Sequence, residues 1–350
     1  MRTFRTLTVT ALLAAVMSGT TAVAAEVNLY SYRQPFLIQP VLDRFTAETG
    51  IDVNVVYAES GILERLKAEG ANSPADMVLT SDVGRLDDLV QADSVQPVQS
   101  PVLEANIPSE YRHPDGLWFG LTKRARIVVV AKDRVAPGEI TSYADLADPR
   151  FNGRICTRSG KHEYMVSLIA SIIAHQGADA ARAWLDGVRA NLARKPQGND
   201  RAQVKAIYEG VCDVAVINSY YMGKMATNED EPEQQAWAEA VRVVFPDQPG
   251  ADRRSTGTHV NVSGAAVTKS ADNVRNAVLL LEFLSGDSAQ ELYAEQNFEY
   301  PVKPGVTLHP IVRSWGDFTA DDINLAEVAQ HRGEAARLVD TVGYDHDAGS

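Results

Sequence analysis

From residue 26 onward the apolar positions fall into short alternating runs, each followed by a run spaced three and four apart. "EVNLYSY" (26–32) alternates as a strand does, and "PVLDRFTAETG" (40–50) then sets Val41, Leu42 and Phe45 on one helical stripe before Gly50 ends it. "IDVNVVYA" (51–58) alternates again, "SGILERLKAEG" (60–70) is an amphipathic helix, and "ADMVLT" (75–80) is a short buried strand. This βαβαβ rhythm predicts a parallel sheet with helices on both faces.

A second unit begins near "RARIVVVAKDRV" (124–135), whose apolar run Ile127 to Ala131 suits a strand buried on both faces. "GRICTRSG" (153–160) reads as strand, "EYMVSLIASIIAHQG" (163–177) and "RAQVKAIYEG" (201–210) as helices, and "VCDVAVIN" (211–218) as strand. "HVNVSGAAVTK" (259–269) is strand-like and "NVRNAVLLLEFLSG" (273–286) helical. "INLAEVAQHRGEAARLVDTVG" (323–343) is expected as a closing helix with an irregularity at Gly333. The acidic run "NEDEPEQQ" (228–235) is expected as a solvated loop or helix end. Two open α/β units with a ligand cleft between them fit this order. The division expected is 26–126 with 250–295 for the N-terminal lobe, and 127–249 with 296–350 for the C-terminal lobe.

The first 25 residues stand outside that pattern. Arg2 and Arg5, the apolar run Leu7 to Val16 and the small residues of "TAVAAE" make a secretory signal peptide, cut just before Ala25 or Glu26. The apolar run is too short to span a bilayer. The chain carries a formal charge of -13; losing Arg2 and Arg5, with no acid before Glu26, makes the exported chain -15. Such a chain repels nucleic acid and anionic membrane surfaces, though a local site inside it can still be basic. Cys156 and Cys212 are the two cysteines, and an even count in an oxidising compartment suggests one disulfide, with two buried thiols as the alternative. No CxxC, HExxH or clustered histidine spacing indicates a standard zinc site.

Three strand-to-helix junctions hold the candidate chemistry: "LYSYRQPFL" with Arg33 and Gln34, "CTRSGKHEYMVSL" with Tyr164, and "VINSYYMGKM" with Tyr220 and Tyr221. Ligands of open α/β sheets sit at such carboxyl ends, where helix N-termini present free N–H groups. Taken singly, Ser159 and Asn218 suit helix caps and each tyrosine suits a packed ring. Taken together, three phenols suggest a highly charged cation, because a phenol with pKa ~10 is neutral until such a charge holds it as phenolate. Ferric iron is the hard, oxygen-seeking ion that fits. His162, the one imidazole at these junctions, is expected on the solvated first turn.

With those residues in view, the chain resembles the periplasmic ferric-iron-binding proteins of ABC importers, in the branch whose metal is held chiefly by tyrosines. The segments "YSYRQPFLI", "SPADMVLTSDVGRL", "WFGLTKRAR", "RSGKHEYMVSLIAS", "NLARKPQGNDRAQVKAIYEG", "NSYYMGKM", "NVSGAAVTK" and "YPVK" carry the likeness over nearly the whole exported chain. It implies an α/β, two-lobed, type II transferrin-like binding-protein fold with the ligand cleft between lobes. It also implies a periplasmic carrier that captures Fe3+ and delivers it, as a monomer, to an inner-membrane ABC permease. Tyr164, Tyr220 and Tyr221 become the iron ligands, all on the second lobe. Some branches place a His–Tyr pair after the arginine, where this chain has Gln34 and Pro35; another uses a histidine and a glutamate, matched here by Gln34 and Ser81. Three phenolates leave an octahedral ion short of donors, so the resemblance implies a synergistic anion, carbonate or bicarbonate. Arg33 is its natural clamp, guanidinium matching a planar oxyanion in bidentate fashion, with Gln34 and Arg124 as further donors. Strand alternation sets Tyr32 on the face away from Arg33 and the cleft. Cys156 and Cys212 open the strands that lead to Tyr164 and Tyr220, so a bridge between them would brace the ligand-bearing lobe. The competing readings are a carrier of a small organic cation or oxyanion, and a secreted enzyme using a tyrosine as acid or base. The enzyme reading lacks any nucleophile–base constellation.

Overall fold

The computed structural model describes residues 25–250 and 256–346; the proposed signal peptide lies outside them, apart from its last residue. The first alternation becomes β1 (Glu26–Ser31), which buries Val27 and Leu29. There follow α1 (Pro35–Thr49), β2 (Asp52–Tyr57), α2 (Ile62–Glu69), β3 (Met77–Thr80), α3 (Val83–Gln91) and α4 (Pro101–Asn106). α1 starts with Pro35 in its first turn, where the missing N–H costs nothing, and stops at Gly50 in the left-handed conformation (φ 71°). α3 is capped by Asp82, whose Oδ1 accepts from the Gly84 amide at 2.8 Å.

β4 (Phe119–Ala131) is much longer than the apolar run that announced it. After it come β5 (Ile155–Cys156), α5 (Glu163–Gln176), α6 (Ala178–Ala190), α7 (Asp200–Tyr208), β6 (Val214–Asn218), α8 (Tyr220–Ala226), α9 (Glu233–Glu239) and β7 (Val241–Val244). The chain continues through β8 (Val260–Val267), α10 (Val274–Ser285), α11 (Asp287–Asn297), β9 (Tyr300–Pro301), α12 (Pro310–Ser314), α13 (Leu325–Gln330) and α14 (Arg332–Thr341).

The sheet order is β2-β1-β3-β8-β4-β6-β5, with β7 and β9 also pairing to β4. β1 lies parallel to β2 and β3, as the βαβαβ rhythm requires. The sheet as a whole is mixed, however, because β8 inserts antiparallel between β3 and β4. A strand arriving from 180 residues downstream leaves no trace in the local pattern that set the parallel expectation. β4 changes partners halfway. Phe119 to Ala125 pair with β8, whereas Arg126 to Val130 pair with β6 and Val128 to Ala131 with β7. At the exchange, the Arg126 amide donates to the His259 carbonyl and the Ser219 amide to the Ala125 carbonyl, both at 2.9 Å. One continuous strand therefore joins two sheet regions, and the candidate junctions gather beside its midpoint.

Two local expectations need correction. The strand expected over 153–160 is only Ile155–Cys156, because the chain leaves the sheet to form the loop before α5. The closing helix is two helices, broken at His331 and not at Gly333. α13 packs on α3 and α5, while α14 packs on α5 and α6, and one straight helix cannot serve both faces. Among the described residues no helix is long and apolar enough to cross a membrane.

β5 runs parallel to β6, and Cys156 and Cys212 are joined by a disulfide with Cα atoms 5.9 Å apart. The bridge closes a separation of 56 residues and ties β5 to the residues just ahead of β6. Loop-closure entropy for a ring of that size is worth about 4 kcal/mol, an upper figure for what the bond contributes. A Cys156→Ser/Cys212→Ser double variant is expected to unfold at lower urea concentration by about 2–4 kcal/mol; an unchanged midpoint would show the bridge to be mechanically idle.

Candidate functional site

The tyrosine wall is assembled from two elements that begin side by side. Tyr164 is the second residue of α5, and Tyr220 and Tyr221 open α8 directly after β6. In a helix adjacent residues diverge by about 100° and not by the 180° of a strand, so both phenol rings can reach one side. They stack, with centroids 4.3 Å apart and planes inclined by 29°. Tyr164 Oη lies 3.4 Å from Tyr220 Oη. α8 is held close to its support by Gly223, where a Cβ would come within 2.3 Å of the Phe298 ring.

One buried carboxylate fixes this arrangement. Asp200 is fully buried at the start of α7, and its Oδ2 accepts from Arg126 Nη1 at 2.9 Å and from the Asn218 amide at 2.7 Å. Its Oδ1 accepts from Arg158 Nη1 at 3.0 Å. Those partners belong to β4, to the end of β6 just before Tyr220, and to the loop before Tyr164. Asn218 Oδ1 also accepts from Arg126 at 3.2 Å, so this residue orients an arginine instead of capping α8. Ser159 is not the cap of α5 either; its hydroxyl accepts from the Lys161 amide at 3.2 Å, and Asp345 accepts from that hydroxyl at 2.7 Å and from the Gly160 amide at 2.8 Å.

His162 occupies a different place from the one expected. It is the N-cap of α5: Nδ1 accepts from the Tyr164 amide at 3.2 Å, and the ring meets the Tyr164 ring edge-on at 4.5 Å. Burial, reinforced by the Arg158 charge, lowers its pKa to about 3, so it is a neutral acceptor. A solvated position would not give it that role.

Arg33, Gln34, Arg124, Tyr164, Tyr220 and Tyr221 all line one cavity of about 270 Å3. Arg33 is buried, but it is not idle: Glu299 takes it in a bidentate pair at 2.6 and 3.3 Å, and its Nη1 also donates to Ser263 Oγ at 2.9 Å. Arg124 donates to the same Ser263 Oγ at 3.2 Å and to the Ser81 carbonyl. Among the described residues, the buried Nε groups of both arginines have no acceptor. Tyr32 is partly as expected. Its hydroxyl accepts from the Leu63 amide at 3.2 Å and its ring carries Arg85 at 4.2 Å, yet the side chain still forms part of the cavity wall. β1 ends at Ser31, so the alternation that would have turned Tyr32 fully away stops one residue early.

The cavity is basic inside an acidic chain. The guanidinium carbons of Arg158, Arg124 and Arg126 lie 4.9, 5.5 and 5.7 Å from the Tyr164 ring centroid, and Arg201 lies 5.1 Å from that of Tyr221. Burial pushes the Tyr164 phenol up to about 12, with Arg124 opposing the rise. Burial, with the neighbouring tyrosines adding to it, raises Tyr220 well above its usual value. Both are therefore neutral at pH 7. Among the described residues no group of three His, Cys, Asp or Glu side chains is placed to hold a metal ion.

Asp200, Glu299 and Ser263 were not legible as site residues. Asp200 follows Asn199 at a helix start, where a carboxylate ordinarily serves the cap, and Glu299 sits in "NFEYPVK" with no patterned neighbour. Their roles come from partners far away in the chain.

A two-lobed extracytoplasmic binding protein is the class that this fold and cavity define. Residues 31–299 match the bacterial extracellular solute-binding protein family, and the chain belongs to it. It is 45% identical over 320 residues to iron uptake protein A1 of Synechocystis, covering 91% of this chain and 87% of that protein. Its structure resembles the open ferric iron-binding protein A of Mannheimia haemolytica with a TM-score of 0.86 at 49% identity, covering 92% of this chain and 100% of that one. The Trichodesmium protein solved in complex with iron and citrate ligands gives a TM-score of 0.87 at 40% identity, covering 91% and 100%.

Because Asp200 neutralises the buried Arg126 and the partly buried Arg158, Asp200→Asn should leave both without a carboxylate and destabilise the protein by about 3–5 kcal/mol in chemical denaturation. A loss under about 1 kcal/mol, the range of exposed pairs, would show that the carboxylate is dispensable.

Proposed function

We propose that this chain is the substrate-binding component of an iron importer, exported to the periplasm, which captures Fe3+ and delivers it as a monomer to an inner-membrane ABC permease. The observation that carries the reading is the convergence of three phenols from two separate helix starts on one cavity ringed by arginines. Tyr164, Tyr220 and Tyr221 supply anionic oxygen to a hard trivalent ion, and each gives up its proton to do so. Three phenolates balance the charge of the ion, and the arginines then favour an additional anion.

That anion is an oxyanion held by Arg33, Gln34 and Arg124, and we take it to be carbonate or bicarbonate. The unpartnered Nε groups of Arg33 and Arg124 support this reading, because a planar oxyanion offers the acceptors they lack. Glu299 already engages Arg33, so a clamp at that residue works by exchange: an incoming anion replaces a tethered carboxylate. Citrate accompanies iron in the Trichodesmium relative and is the competing anion. The lobe division stays as 26–126 with 250–295 and 127–249 with 296–350; the partner exchange of β4 at Ala125–Arg126 supports its first boundary. Closure of the two lobes on the loaded tyrosine wall is a hinge motion about that strand.

Ferric loading in bicarbonate should colour the protein through phenolate-to-iron charge transfer, and Tyr220→Phe, Tyr221→Phe and Tyr164→Phe should each abolish or shift the band. Arg33→Ala should weaken loading less than any tyrosine loss. A colourless wild type in bicarbonate, which then colours only with citrate, would reassign the anion; a protein colourless with both would refute the metal.

Proton release sets the pH dependence. Tyr164 and Tyr220 have raised pKa values, so the free protein holds both protons throughout the neutral range and binding must expel them. Apparent ferric affinity, corrected for iron hydrolysis, should fall as pH falls, by up to about tenfold per pH unit for each proton released. A flat profile from pH 6 to pH 8 in competition titrations would exclude phenolate ligation by these two residues.

A further inference from the structure

α3 follows β3 in the first sheet region and α5 follows β5 in the second, and polar side chains join the two helices at two points. The inner point is the buried Asn261 of β8, whose hydrogen-bonding capacity is filled. Its Oδ1 accepts from the Val83 amide at 3.0 Å and the Val262 amide at 2.7 Å, and its Nδ2 donates to Asp82 Oδ2 at 2.7 Å and to Ser167 Oγ at 2.8 Å. Asp82 and Val83 open α3, and Ser167 lies in the second turn of α5. The outer point is one turn nearer the start of α5, where Arg85 Nη2 meets Glu163 Oε2 at 3.3 Å with 27% and 19% of the two side chains exposed. Arg85 also lies over the Tyr32 ring at 4.2 Å. Glu163 immediately precedes Tyr164, so Arg85 joins the Tyr32 wall of the cavity to the helical turn that carries a phenol. The pair borders a groove of about 810 Å3, which is also lined by Asp88 and Arg332, themselves paired at 3.3 Å.

The two links differ in what it takes to break them. Buried hydrogen bonds that fill every donor and acceptor of an amide are costly to open, because each lost partner leaves a polar group desolvated. A partly exposed ion pair gives up its partner for water at little cost. Relative motion of α3 and α5 therefore turns about Asn261 and opens first at Arg85–Glu163. We propose that this pair is an interlobe latch: Arg85 and Glu163 are positioning residues that hold the first turn of α5, and with it Tyr164, against the Tyr32 wall, and so set how long a captured ion stays in the cavity. The proposal rests on the metal reading above and adds a control on release. Asp82, Arg124 and Arg332 also act on the Glu163 charge. Arg124, however, is committed to Ser263 and to the Ser81 carbonyl, and Arg332 to Asp88. Neither replaces Arg85 without breaking its own link.

Release of Fe3+ from the loaded exported chain to an excess of a competing chelator, followed by loss of the charge-transfer band, tests the latch. Glu163→Gln and Arg85→Met should each speed release about three- to fivefold, the range of a partly exposed pair, and keep the wild-type band position because no ligand is altered. The double variant should release no faster than the faster single one, since both changes remove the same link. Lys161→Met, which cuts the Lys161–Asp340 pair on the same groove, should release at the wild-type rate. Wild-type release in both single variants, or effects that multiply in the double variant, would overturn the latch. So would an equal acceleration in Lys161→Met, which would show a general effect of charge, or a shifted band in Glu163→Gln, which would show the carboxylate acting on Tyr164 directly. If Arg85→Met does not fold, Arg85→Gln takes its place in the cycle. A wild type that takes up no iron refutes the metal reading and the latch with it, and the missing band tells that failure apart from the others.

Discussion

Asp200 is a fully buried carboxylate shared by two arginines and a backbone amide, and the tyrosine wall stands where it does because of that sharing. Each partner comes from a different stretch of chain: the bridging strand, the loop before α5, and the last residue of β6. A carboxylate this deep is stable only when its charge is answered and its lone pairs are filled, and here both conditions are met by groups that also locate Tyr164 and Tyr220. The ionic hub sets their spacing.

Around that hub the charges are arranged against the overall sign of the protein. Arg124, Arg126, Arg158 and Arg201 face phenol rings within a chain whose formal charge is -13. Burial discourages ionisation of Tyr164 and Tyr220, and at Tyr164 the Arg124 charge partly counters it. Glu299, which also lines the cavity, adds a counter-ion for Arg33. The organic-cation alternative fits this surface poorly, because the free charges that line it are positive.

Periodicity was enough to locate most strands and helices, because it reports which face of a segment is buried and that face is the same in the folded chain. It could not report the antiparallel entry of β8, which depends on a pairing partner far upstream, or the break at His331, which depends on two surfaces meeting α13 and α14 at different angles. The tyrosines were legible because they sit at strand ends that the local pattern marks. Glu299 was not: its partner Arg33 is 266 residues away, and nothing near it differs from an ordinary surface glutamate. His162 was misplaced for a related reason, since an N-cap imidazole and a solvated one share the same sequence position.

All three phenols rise from β5–α5 and β6–α8, and a disulfide and a shared carboxylate fasten those two units to each other. Separating the lobes therefore uncovers the trio without dismantling it. If the three phenols hold the proposed ion, release cannot consist of the ligands parting company; it would need protons returned to the oxygens, a change in the valence of the ion, or loss of whatever the far wall contributes.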